Sequence, residues 1–255
     1  MKPTAIALAG VLMLNLPVHA AGTGCEAKSP THTLALVELY TSEGCDSCPP
    51  ADKWLRTLGA YGPDRVVPIS LHVDYWDYIG WKDPFAKQLF SSRQREMANI
   101  QNNRVVYTPQ VMLAGKDYRS WARGGFADDV KAINRKPARA DIRLSLKAEA
   151  GNKVELAAEG HAAAADARDA RLVVAWYESG LASSVSAGEN RGNTLQHDYV
   201  VREWIGPLEF DKDTAKLTRT LSVPGKADRG GVVAFVQNRR TGEVLQALAL
   251  PMCKG

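Results

Sequence analysis

An apolar run that ends in two closely spaced cysteines and two prolines limits this chain more than any other feature. Residues 34–40 read LALVELY, and TSEGCDSCPPAD follows at 41–52. A nearly continuous apolar run with one charge predicts a strand covered on both faces. Cys45 and Cys48 then stand just beyond its C-terminal end. Thiols at Cys-x-x-Cys spacing can close a small ring by exchange, and a turn after the first strand of a β-α-β unit is where a redox pair belongs. A static local disulfide is the plainer reading of the same residues, because exported proteins carry such bridges.

The surrounding pattern supplies the unit. Trp54, Leu55 and Leu58 recur at helical spacing over 51–60, and VVPISLHVDY at 66–75 is the next strand. Residues 83–102 predict a second helix, capped by Asp83 with Pro84 at its first position. Strands at 105–113 and 116–120 and a helix at 126–134 follow. The order β-α-β-α-β-β-α is that of the thioredoxin fold. Beyond Lys136-Pro137 the alternation Ile142, Leu144, Leu146 and then Val154, Leu156 begins a series of seven short strands, which reads as a β-sandwich. The expected fold class is an α/β thioredoxin-like N-terminal domain (29–138) followed by an all-β sandwich C-terminal domain (140–255), with the boundary near residue 139.

The first twenty residues carry Lys2, an apolar run, Pro17 and Val18-His19-Ala20. This pattern predicts a secretory signal peptide over 1–20 and a periplasmic or secreted protein, with no membrane span in the mature chain. Four cysteines in an exported chain allow three pairings. Cys25 and Cys253 lie near the two ends while Cys45 and Cys48 are neighbours, so Cys25 is expected to pair with Cys253 as a structural disulfide. A formal charge of +4, with Lys2 contributing one unit of it, is too small and dispersed to argue for nucleic acid.

ELYTSEGCDSCPPAD, LHVDYWDYIGWKDPFA, YTPQVMLAG and GENRGNTLQHDYVVREW resemble the signatures of the exported, thioredoxin-like family catalogued as domain of unknown function 1223. That resemblance implies roles residue by residue. Cys45 is the exposed attacking thiol, Cys48 the buried resolving thiol, and Pro109, after Thr108, a cis-proline packed against the pair. It implies no activity beyond these.

Local chemistry sharpens the expectation. A residue before proline is pushed out of helical geometry, so Cys48 and Pro49 are expected to be extended, with the helix starting at Pro50 and its dipole withdrawn from Cys45. Asp46 adds a negative charge beside both sulfurs. Both effects favour the oxidised form and predict a reducing pair. The aromatic stretch Trp76, Tyr78, Trp81 lies beyond the second strand and, with Thr108, offers a substrate-docking surface; the alternative is that Trp76 and Trp81 fill a gap between domains. For a copper or zinc site the nearest third ligand is His72, although a lone histidine in an apolar strand is usually just packed. His197 and Asp198 are candidates for an acid-base pair, but the absence of a nucleophile beside them in the sequence argues against that role. The function expected is thiol-disulfide exchange with protein or small-molecule thiols and disulfides, needing no cofactor and no resident metal. The competing readings are a non-catalytic envelope-binding module stiffened by the CDSC bridge, and a copper-handling protein.

Overall fold

The computed structural model describes residues 24–223 and 227–253; the expected signal peptide at 1–20 lies outside the described residues. In chain order the elements are β1 (Gly24–Lys28), β2 (Ala35–Thr41), α1 (Pro49–Thr57), β3 (Val66–His72), α2 (Gln88–Ile100), β4 (Gln110–Leu113), β5 (Lys116–Asp117) and α3 (Phe126–Asn134). They continue with β6 (Ala140–Glu149), β7 (Lys153–Ala162), α4 (Ala164–Ala167), β8 (Ala170–Glu178), β9 (Leu181–Ser184), β10 (Thr194–His197), β11 (Val200–Glu209), β12 (Thr214–Ser222), β13 (Gly230–Asn238) and β14 (Val244–Pro251).

This arrangement overturns the expected fold class. The chain is 45% strand and 19% helix. It is organised around one eight-stranded mixed sheet, in the order β14-β13-β8-β11-β3-β2-β4-β5, rather than around a thioredoxin-like α/β domain and a separate sandwich. The join is a short parallel pairing of β11 on β3, with Val200 opposite Ser70 and the Ser70 amide donating to the Tyr199 carbonyl at 2.8 Å. The sequence carried a sign of this in β8 and β13. ARLVVAWYE is buried at every position, and GGVVAFVQN at every position but the last. Strands closed on both faces belong to the middle of a covered sheet, not to a sandwich with one wet side.

Alternate residues of these strands feed different cores. Leu172, Val174, Trp176, Val232 and Ala234 face a second sheet, ordered β1-β6-β7-β12, and pack with Ile142, Leu144 and Leu156. Val173, Ala175, Tyr177, Val233 and Phe235 face the other way and join Leu36, Tyr40, Ile69, Phe90 and Met97. A third cluster lies under α1 and α3, around Val37, Leu39, Leu55, Phe126 and Val130. The strict alternation of β6 and β7 was read correctly because each buries one face only.

Three local expectations also change. α2 begins at Gln88, not at Asp83, because the Asp83 carboxylate is engaged elsewhere: it accepts from the Phe85 and Glu43 amides at 2.8 and 2.9 Å. β4 begins only after Thr108-Pro109, whose peptide bond is cis. β5 has two residues where a five-residue strand was expected. Gly115, at φ +82°, meets the Gly242 carbonyl so closely that an added Cβ would sit 1.8 Å from its oxygen, so the hairpin after β4 closes on the turn between β13 and β14.

One ion pair on α2 ties the two parts of the large sheet together across the β11–β3 join. Arg93 of α2 grips Glu38 of β2 with two hydrogen bonds, at 2.7 and 3.0 Å, and a third reaches Gln237 of β13 at 3.2 Å. Its guanidinium lies 4.9 and 5.2 Å from the Trp204 and Phe235 ring centres. Burial opposes the Arg93 charge, but Glu38 more than offsets it, and the net effect is to strengthen protonation.

Two outcomes follow. Arg93→Met leaves Glu38 buried and unpaired and should lower unfolding stability by about 3–5 kcal/mol in urea, with the double replacement Arg93→Met/Glu38→Leu recovering most of it. Cys25 and Cys253 form the expected disulfide. Replacing both with Ser should cost about 2–5 kcal/mol yet leave a folded protein, because β1 keeps its pairing with β6. Unchanged stability in that variant would contradict a structural role.

Candidate functional site

β2 is fully buried, and its last residues, Tyr40 and Thr41, deliver the chain into a tight double turn. The Cys45 amide donates to the Ser42 carbonyl at 3.2 Å and the Cys48 amide to the Cys45 carbonyl at 3.3 Å. The Ala51 and Asp52 amides then donate to the Cys48 carbonyl at 2.9 and 3.2 Å, which starts α1. Cys45 and Cys48 are joined in a disulfide.

Two sequence expectations are corrected here. Cys48 is not extended: it has helical geometry (φ −77°, ψ −38°) and caps a helix that starts at Pro49. Proline disfavours helical geometry in the residue before it without forbidding it, and the disulfide and turn hydrogen bonds hold Cys48 there. Cys45 is not the exposed thiol either. It is 1% exposed and Cys48 is wholly buried, while Asp46 and Ser47 between them face solvent.

The cover is a loop from far along the chain, between β9 and β10. Asn190, itself buried, donates from its side-chain amide to the Glu43 and Cys45 carbonyls, both at 2.9 Å. Glu189 accepts from the Asp46 amide at 3.0 Å. Gly188, at φ +74°, packs against Ile79 and Trp81. Beside α1, Arg56 pairs with Asp198 and donates to Gln196 at 3.2 Å, holding β10 against the helix.

The cysteine turn and the start of α1 also contribute Glu43 and Asp52 to a buried group of ionisable side chains. Glu43 Oε1 is 3.0 Å from His197 Nε2, and Glu43 Oε2 accepts from the Trp81 indole at 2.8 Å. His197 Nδ1 is 3.9 Å from Asp52 Oδ1, while Asp52 Oδ2 accepts from the Thr41 hydroxyl at 3.2 Å. His72 Nδ1 is 2.7 Å from Asp83 Oδ2. The two imidazoles meet edge to face at 4.8 Å. Burial works against the His197 charge, but the nearby Asp52 and Glu43 carboxylates outweigh it and raise its pKa to about 9. Burial pushes Asp83 up, yet His72 and two amide donors outweigh it and hold its carboxyl below the usual range. Asp52, His72 and His197 offer donor atoms that all lie within 4.8 Å of one another, the set able to hold a metal ion.

The other expected residues take mixed positions. The Trp76 indole donates to the Thr108 hydroxyl at 2.8 Å, so the aromatic stretch is tied to the segment carrying Pro109. Pro109 precedes Gln110, which pairs with Tyr40, and therefore lies at the same end of the sheet as the cysteine turn. Tyr78 stands 82% exposed, whereas Trp76 and Trp81 are half-buried. His197 does not partner Asp198, whose carboxylate goes to Arg56 and the Gly180 amide. Sequence reasoning missed Glu43, Asp52, Asp83 and Asn190. Asp52 alone had a local signal, one helical turn after Cys48 on the same face.

The pattern described as Protein of unknown function (DUF1223) matches residues 36–237. The X-ray structure of a protein from Agrobacterium tumefaciens is similar over 89% of this chain and 98% of its own, with 27% identity and a TM-score of 0.65. HBP35 of Porphyromonas gingivalis matches over 88% of this chain and 76% of its own with a TM-score of 0.66; at 14% identity the likeness is one of fold. No curated protein matches the chain. The matched span reaches from β2 to β13 and takes in the cysteine turn, the covering loop and His197, and the chain belongs to the family described as Protein of unknown function (DUF1223).

Proposed function

We propose that this protein is an exported thiol-disulfide oxidoreductase working through Cys45 and Cys48. The observation that carries the reading is the setting of the disulfide: a Cys-x-x-Cys ring at a helix N-terminus, in a segment whose buried Glu43 and Asp52 reach His197, itself packed on the His72–Asp83 pair. A bridge that merely stiffens a turn needs no ionisable groups buried in the same segment, and burying them costs several kcal/mol each before pairing. Clusters of this kind gather at sites that move protons. Two disulfides in one chain suit an oxidising compartment outside the cytosol.

In the exchange, a substrate thiolate attacks Cys45 Sγ, the Cys45–Cys48 bond breaks, and Cys48 leaves as a thiolate that takes up a proton. A second substrate thiolate then attacks the mixed disulfide and releases Cys45, so two electrons pass from the substrate dithiol to the pair. With a disulfide substrate the same steps run backwards. The substrate is a protein or small-molecule thiol or disulfide, and exposed Tyr78 at the rim is the side chain free to touch it.

Because both cysteines are buried, the 185–193 loop has to lift first. It is held over the turn by the two Asn190 hydrogen bonds and the Glu189 contact, each worth about 0.5–1.5 kcal/mol. The redox character follows from charge. The helix start at Pro49 supports a thiolate more than the sequence suggested, but the segment that carries the cysteines also carries the acids Glu43, Asp46 and Asp52, and Glu189 of the covering loop joins it at the Asp46 amide. Repulsion of a thiolate by these charges favours the oxidised pair.

The complete burial of the disulfide favours one second reading, a binding module in which the bridge is a static staple. Cys48→Ser separates the two. Exported from cells, an oxidoreductase accumulates mixed disulfides through Cys45, resolved on non-reducing gels and absent from Cys45→Ser/Cys48→Ser; a staple traps nothing. Asn190→Ala should speed reduction of the native disulfide by a small dithiol about tenfold, in line with the loss of about 1.4 kcal/mol of closure, measured by quenched thiol labelling. Redox titration should give a potential well below the roughly −120 mV of a strong periplasmic oxidant, and a value near that figure would contradict the charge argument.

A further inference from the structure

The His72, His197 and Asp52 side chains come from three separate elements, β3, the end of β10 and α1, and converge on one point. His72 is wholly buried and the His197 side chain is 2% exposed. Each imidazole has one nitrogen on a carboxylate, His72 Nδ1 on Asp83 and His197 Nε2 on Glu43. The remaining nitrogens, His72 Nε2 and His197 Nδ1, have no hydrogen-bond partner. Each imidazole also offers one ring nitrogen to a set of donor atoms that lies within 4.8 Å together with an Asp52 oxygen.

A neutral imidazole that donates to a carboxylate through one nitrogen presents a bare lone pair on the other, and His197, which holds its second proton up to about pH 9, gives that proton up when a cation enters. Two such lone pairs and a carboxylate oxygen form a group of acceptors facing one another in a dry interior. The nearest contact across it, His197 Nδ1 to Asp52 Oδ1 at 3.9 Å, is too long for a hydrogen bond. Leaving buried polar atoms unpaired costs about 1–3 kcal/mol each. A cation at the centre would satisfy all three. The carboxylates behind the two histidines match the arrangement that orients metal-bound imidazoles and raises their basicity.

We propose that Asp52, His72 and His197 form a binding site for a borderline divalent transition ion of the zinc class. Two imidazoles and one carboxylate are a ligand set that such ions accept, with at least one coordination position left for another ligand. Tetrahedral coordination at about 2.0–2.1 Å places ligand atoms roughly 3.4 Å apart, so the group closes inward by an ångström or so at its widest. A cleft of about 350 Å³ lined by Lys53, Arg56, Asn193 and Gln196 reaches Asp52 and His197 from solvent. The site uses no sulfur, so it is distinct from a copper site on reduced cysteines and does not rest on the exchange reaction.

The test uses the full protein with both disulfides intact, freed of metal by a chelator and titrated with Zn²⁺ by calorimetry and with Co²⁺ by visible absorption. One ion per chain is expected, with an intense tetrahedral-type Co²⁺ spectrum. His72→Gln, His197→Gln and Asp52→Asn should each weaken binding at least tenfold, while Cys45→Ser/Cys48→Ser binds as wild type does. X-ray absorption of the wild-type zinc complex, which needs no variant to fold, should show nitrogen and oxygen neighbours including two imidazoles. Binding well below one equivalent, a sulfur shell, or loss of binding in the cysteine variant would overturn the proposal. Cysteine trapping is a separate readout, so either result can fail without the other.

Discussion

A few backbone hydrogen bonds between β11 and β3 decide what this chain can be. The Ser70 amide reaches the Tyr199 carbonyl, and Val200 lies opposite Ser70. From that join, β8, β13 and β14 extend the sheet away from β2 and β3, and α2 packs over residues from both parts. The same join positions what precedes it: Tyr199 is two residues after His197, and His197 ends the strand that follows the covering loop. Without it, Asn190 has no reason to find the Cys45 carbonyl, and His197 no reason to find Glu43. A contact worth little by itself brings together residues about 150 positions apart.

The parts legible in sequence were those set by local chemistry. α3 at 126–134 was read to the residue, since its apolar spacing and flanking glycines leave little choice. The cysteine turn followed from the apolar run before it, and the alternation in β6 and β7 followed from a single buried face. What failed was what needed a partner far away. Asp83 has every attribute of a helix cap, but its carboxylate serves His72 and the Glu43 amide, and α2 waits until Gln88. Cys45 has the position of an attacking thiol, but a loop more than 140 residues later closes over it. GENRGNTLQHDYVVREW was quoted as a signature without a role for each residue; Glu189, Asn190 and His197 lie in it, and their contacts reach back to the cysteine turn.

The covering loop and the buried charges act on the same equilibrium. In the proposed exchange, opening the disulfide creates two thiols on a segment that also carries the buried acids Glu43 and Asp52. Charge repulsion between them is weakly screened in a dry interior. The closed state therefore disfavours the reduced, ionised pair for the same reason that it disfavours exposed sulfur. In the proposed exchange, lifting the loop would admit water, which screens the acids and stabilises the thiolate, so access and ionisation would change together. Positive charge inside the network works in the opposite sense to the acids. Protonated His197 supplies one such charge, and a divalent cation held among Asp52, His72 and His197 would replace that proton with a larger one. By linkage, what favours the thiolate must be bound more tightly when the thiolate is present. In the proposed exchange, opening of the disulfide, lifting of its cover and the charge of the neighbouring acids would therefore bear on one equilibrium.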